Sequence, residues 1–164
     1  DLNGGTNPEQ YHLKFTGDEE VDDNWWDDTA PTASEFTVAN SYNVRSNDDD
    51  YLACLFASVD GICKVGSYQG NDSTTGPTIT TGFQPRFLIV KAASRTGGGS
   101  WWVYDSVRGW GTVGSNHGQL KLNSNSGEQN GSTLFQVSST GFSVHDDSPT
   151  VNGDGETYIY YAHA

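Results

Sequence analysis

The chain has 164 residues, enough for one well-buried core, and its 34% hydrophobic content rests on large side chains: 5 Trp, 8 Tyr and 7 Phe. A formal charge of -13 repels phosphate backbones and anionic headgroups, so neither nucleic acid nor a membrane surface is an expected partner. No apolar run approaches the ~18 residues that would predict membrane insertion, and abundant Gly, Ser, Thr, Asn and Asp without helical periodicity predict an all-β class.

Residues 1–10 read as a loop, and YHLKF at 11–15 as a first, weakly alternating strand. The stretch GDEEVDDNWWDD, residues 17–28, sets Trp25 and Trp26 among acidic side chains. Such a run is ordinarily a solvated face. Its alternatives are a calcium loop or an aromatic platform for a sugar ring, but EF-hand spacing is absent and no metal ligands are assigned. No other cofactor is expected. A short strand is predicted at Phe36–Val38, followed by a polar connection that ends in Asp48, Asp49 and Asp50. YLACLFASV, residues 51–59, has the length and flanks of a buried central strand. The apolar setting of Cys54 favours free thiols for Cys54 and Cys63 over a disulfide. Asp60–Gly61 marks a turn, and residues 63–70 resume as an alternating strand.

The apolar run Phe87–Val90, stopped by Lys91 and bounded by Pro85 and the glycines after residue 96, predicts the core strand around which the chain is organised, residues 86–92. Trp101–Asp105 follows as a strand. Tyr104, Asp105 and Arg108 are expected to clamp the loop beyond it, through a bidentate bond from the guanidinium. The Gly-rich loop 109–118 carries Trp110 and His117 but lacks the Lys-Ser/Thr ending of a phosphate loop. Strands are predicted at 119–123, 133–137, 141–145 and 157–164, with SGEQNGS as a turn between the first two. Short strands at this spacing predict an antiparallel β-sandwich, of jelly-roll or concanavalin-like kind.

Two stretches run in parallel. FTVANSYNVRSNDDDYLACLFA, residues 36–57, and FSVHDDSPTVNGDGETYIYYAHA, residues 142–164, each pass from F-x-V through an Asp-rich loop to Tyr and an apolar strand. Upstream, LKF at 13–15 matches LKL at 120–122. The reading is an internally repeated unit of about 107 residues, with 1–57 as the C-terminal half of a first unit and 58–164 as a complete second one.

YLACLFASVDGICKVGSYQG, GFQPRFLIVKAAS, WWVYDSVRG, LKLNSNSGEQ, the closing TYIYYAHA and WWDDTAPTASEFTVA at 25–39 together resemble a domain of predicted structural proteins of tailed bacteriophages. That domain is found particularly in marine phages and is often duplicated within tail or tail-fibre polypeptides. The resemblance implies a virion component, located in an extracellular particle. It would serve assembly and host-surface attachment, with copies of itself (three favoured in a fibre), other virion proteins and a host glycan as partners. The alternative is a carbohydrate-binding module, in which Trp25, Trp26, Trp101, Trp102 and Trp110 offer stacking faces and Asn116, His117 and Gln119 fix orientation. Trp101 and Trp102 point to opposite faces of a strand, so a two-layer fold buries at most one. A glycoside hydrolase needs two carboxylates at a set separation. Asp105 and Glu128 are the only nominees, nothing in their spacing pairs them, and no enzymatic activity is expected.

Overall fold

The computed structural model describes residues 5–97, 99–111, 117–131 and 133–164. The chain is all-β, with eleven strands among the described residues: β1 Tyr11–Leu13, β2 Glu19–Val21, β3 Cys63–Gln69, β4 Thr78–Thr80, β5 Phe87–Ala92, β6 Trp102–Asp105, β7 His117–Lys121, β8 Gln129–Gly131, β9 Phe135–Ser138, β10 Gly141–Val144 and β11 Thr157–His163. All pairings are antiparallel. They form a six-stranded sheet in the order β3-β11-β5-β6-β7-β8, a three-stranded sheet β4-β10-β9 and a hairpin β1-β2. No described helix is long and apolar enough to cross a membrane.

One core joins the two larger sheets. Leu88, Val90 and Ala92 of β5 alternate with Tyr158, Tyr160 and Ala162 of β11, and Tyr104 of β6 lies on the same face. They meet Phe135 of β9 and Phe142 and Val144 of β10. The contact is largely aromatic: Phe142 meets Tyr68 and Tyr160 edge-on, and Phe135 meets Tyr104 the same way. Edge-to-face geometry sets ring hydrogens against ring faces and adds ~0.5–1.5 kcal/mol per pair beyond area burial. Opposite Tyr160 on β3 stands Gly66, where a Cβ would lie 2.7 Å from the Tyr160 hydroxyl. Glycine there lets the ring lie across the neighbouring strand.

The organising strand forms where it is expected, as β5, and carries Lys91 within it. That side chain is wholly buried, and its Nζ donates to the Gly99 carbonyl at 3.1 Å. Burial lowers its pKa, opposed by the charge of Asp18. The acidic run 17–28 contributes β2, because β1 offers it an antiparallel partner and Ala93 accepts from the Glu19 amide. Two expectations fail for reasons of pairing. The predicted turn SGEQNGS contains β8, paired with β7. Phe36–Val38 and YLACLFASV form no strand, and the latter lies exposed. A central strand needs a neighbour on each side, and β11 already fills the place between β3 and β5. Pairing onto the other edge of β3 begins at Val59↔Cys63 and ends at once, since the Ser58 hydroxyl accepts from the Val65 amide and donates to its carbonyl. Both cysteines are free, with Cys54 exposed instead of buried.

Candidate functional site

The side chains that carry chemistry fall into three groups: a charged clamp beyond β6, a set of tryptophans, and two loops held by tyrosine.

β6 ends in a 3-10 turn, Ser106–Arg108, whose N-cap is Asp105. The Asp105 carboxylate accepts from the Arg108 amide at 2.9 Å and pairs with the Arg108 guanidinium. A capping oxygen here satisfies a backbone donor that the turn leaves without a partner. The Arg108 Nε also meets Glu128 at 3.0 Å, tying the turn to the approach of β8. Both side chains cross the face of β7 above Gly118, where a Cβ would sit 2.8 Å from Glu128 and 3.1 Å from Arg108. Asp105 and Glu128 are thus committed to one guanidinium. Tyr104 points to the other face, where its hydroxyl donates to Gln119 at 2.6 Å within the core, and burial raises its pKa far above the ordinary tyrosine value.

The tryptophans do not converge. Trp110 is core, with Nε1 donating to the Phe135 carbonyl. Trp102 is buried beneath the Lys121 ammonium, 4.6 Å from its ring, and its Nε1 has no hydrogen-bond partner among the described residues. His117 is buried at the start of β7, on the face it shares with Gln119, and Asn116 lies outside the described residues. Trp101, half-buried on the opposite face, stacks on Phe15 and donates to its carbonyl. Trp25 and Trp26 follow β2 and pack back on β1: Trp26 donates to the Tyr11 carbonyl, and Trp25 stacks on His12 with ring centroids 4.0 Å apart. His12 is itself buried, 3.7 Å from Glu20, and burial lowers its pKa against the opposing pull of that carboxylate. No group of three or more His, Cys, Asp or Glu among the described residues is arranged to hold a metal ion.

The third group is the one sequence reasoning did not reach in detail. The Tyr158 hydroxyl accepts from the Gly153 amide and donates to the Pro149 carbonyl, at 2.8 Å each. The Tyr51 hydroxyl accepts from the Ser46 amide at 3.0 Å and donates to the Tyr42 carbonyl at 2.9 Å. Both tyrosines therefore bond to the residues five and nine positions before them. The agreement continues through each loop. The Ser41 carbonyl accepts from the Val44 and Arg45 amides as Ser148 accepts from Val151 and Asn152. The Ser41 hydroxyl accepts from the Asn43 amide as Ser148 accepts from Thr150. These five bonds recur at one spacing, that from Tyr51 to Tyr158, or 107 residues. The same spacing sets β1 against β7 and aligns His12, Leu13 and Lys14 with Gln119, Leu120 and Lys121, whereas β8 begins 110 residues after β2. Buried Asn152, which accepts from Asn71 and donates to Asn71, Ser73 and Asp146, anchors the second loop. Arg45 stands in its place in the first.

The chain belongs to a family described as a domain of unknown function (DUF7483), whose model matches residues 4–164. No curated protein and no solved structure matches it.

Proposed function

We propose that this chain is a structural domain of a tailed-bacteriophage virion, in the tail or a tail fibre, where it contributes to assembly and host-surface attachment. The observation that carries the reading is the tyrosine-stapled loop found twice at a spacing of 107 residues with the same five bonds. Chance agreement in one side-chain bond is cheap. Agreement in a strand, a serine turn and a two-ended tyrosine staple at one offset supports duplication of a β-unit, and repetition of one unit is how extended structural polypeptides are built. On this reading the six- and three-stranded sheets are the two leaves of a sandwich, and residues 1–57 are the C-terminal half of a further unit. The resemblance described above supplies the virion setting. Commitment of Asp105, Glu128 and four of the five tryptophans to bonds or stacks within the domain supports a role without catalysis.

Immunogold labelling of purified virions that encode the chain tests this directly. Label on the tail supports it; particles that lack the chain overturn it. A carbohydrate-binding role draws support from Trp25 and Trp101, half-buried and each stacked on a second ring. A glycan array on the purified chain decides it, with Trp101→Ala expected to abolish any hit.

A further inference from the structure

We infer that residues 51–57 are a docking strand that pairs with the outer edge of β3, beyond Val65, in a second copy of this chain. The staples make Tyr51 the counterpart of Tyr158, so the residues that follow Tyr51 correspond to β11. β11 forms antiparallel ladders on both sides, with β3 and with β5. Its counterpart forms neither. Among the described residues, no backbone–backbone hydrogen bond joins residues 51–58 to another segment; the contacts to β3 are the Cys63 thiol on the Ala57 carbonyl and the Ser58 hydroxyl on Val65. An apolar strand of this kind carries a row of unpaired N–H and C=O groups that invite a partner strand.

The partner is a second copy because donor and acceptor lie side by side in one chain. β3 ends its sheet: its outer edge meets Val59 at Cys63 and the Ser58 hydroxyl at Val65, and no described strand lies beside it from there to Gln69, while the hairpin at Val59↔Cys63 joins it to the unpaired segment. In a two-fold pair each copy's segment meets the other's β3, so one operation satisfies both edges. The area suffices. Tyr51, Leu52, Leu55, Phe56, Val59 and Ile62 are all exposed, Leu52 to 91%. With aromatic side chains presenting on the order of 150–250 Å² each and aliphatic ones somewhat less, the set offers about 700 Å². One partner contributes ~800 Å² to an interface of standard size. Charge permits the contact as well. Residues 51–59 carry no charged side chain in a chain of net -13, and repulsion from the rest is screened beyond about 8–10 Å at physiological salt.

The inference deepens the assembly role proposed above by naming the face through which copies meet. Its test is sedimentation velocity of the full chain at micromolar concentration in 0.15–0.5 M salt (values on the order of physiological ionic strength and above), joined to amide hydrogen exchange. The wild type is expected to associate, and amides of 52–58 are expected to slow at least tenfold between dilute and associated samples. Leu52→Asp with Leu55→Asp, and separately Leu55→Pro, should weaken association at least tenfold. Val107→Asp, at an equally exposed apolar residue on the turn after β6, should leave it unchanged. A monomer throughout, association unaffected by the variants at 52 and 55, or association without slowed exchange in 52–58 would each overturn the strand pairing. These outcomes are separate from the virion reading. A monomeric chain found in virions removes the docking strand alone; an associating chain missing from virions removes the virion placement alone.

Discussion

Residues 36–57 and 142–164 begin from nearly the same pattern and end in different environments. Phe142 and Val144 are fully buried in β10, whereas Phe36 and Val38 are 44% and 38% exposed and form no strand. Local structure is alike in the two: serine turn, tyrosine staple, the same bonds. The difference lies in what surrounds each loop. β10 has β4 and β9 beside it, and β11 has β3 and β5. Among the described residues, the first stretch has only two backbone–backbone bonds to the segment after the N-terminal hairpin, Ala39 to Trp25 and Ser41 to Asn24. A loop whose bonds are local closes by itself, while a strand requires neighbours that the chain has already used.

The largest expected contrast follows from this. Phe142→Ala should cost about 3–5 kcal/mol in chemical denaturation, the usual toll for emptying a buried aromatic site. Phe36→Ala should cost less than about 1 kcal/mol. Equal costs would mean that the first stretch is packed in solution, and the comparison would break.

The staples allow a finer contrast. Tyr158→Phe strands the Gly153 amide inside the protein and should cost about 1–3 kcal/mol. Tyr51→Phe removes the same two bonds where water replaces them, and its effect should be confined to faster amide exchange at Ser46.

Alkaline stability bears on the second stretch. Burial raises the pKa of Tyr158 well above 10, as it does for Tyr68 and Tyr104, and it raises those of Tyr160 and Tyr161 as well. Above pH 10 the unfolded chain loses phenolic protons that the folded chain retains, so stability should fall as pH rises through that range. Tyr158→Phe should reduce the slope by up to about 1.4 kcal/mol per pH unit, the value of one proton.

The smallest effect concerns His12, which occupies the place of Gln119 in the other hairpin. Its lowered folded pKa leaves stability intact above pH 6.5. As pH falls below 6.5 the unfolded chain binds a proton that the folded hairpin resists, and stability declines. His12→Gln should flatten that limb of the pH profile. An unchanged profile would show that the stack with Trp25 opens in solution.

Much of the architecture was legible in the residues. The strands at 63–69, 87–92, 102–105, 135–138, 141–144 and 157–163 follow alternation, apolar runs and turn formers, signals that act over neighbouring residues. The spacing of Phe36, Tyr51, Phe142 and Tyr158 was visible as well, although the bonds of the tyrosine hydroxyls were not, because a hydroxyl's partner depends on where a loop folds back. The prospective glycan residues were legible only as types. Trp102 and Trp110 turn inward because β6 and the turn after it carry them to the face that meets β9, a fact of packing and not of spacing.

Residue order alone therefore carried the local part: an all-β chain, the order of most strands and two loops of one design. Which strands obtain neighbours was settled by contacts between distant segments. Lys91 is buried because covered sheet surrounds it, and YLACLFASV is exposed because β11 stands between the strands it would need. Alternation sets which face a side chain takes, but ladder bonds are made between distant segments, and each strand edge accepts one partner.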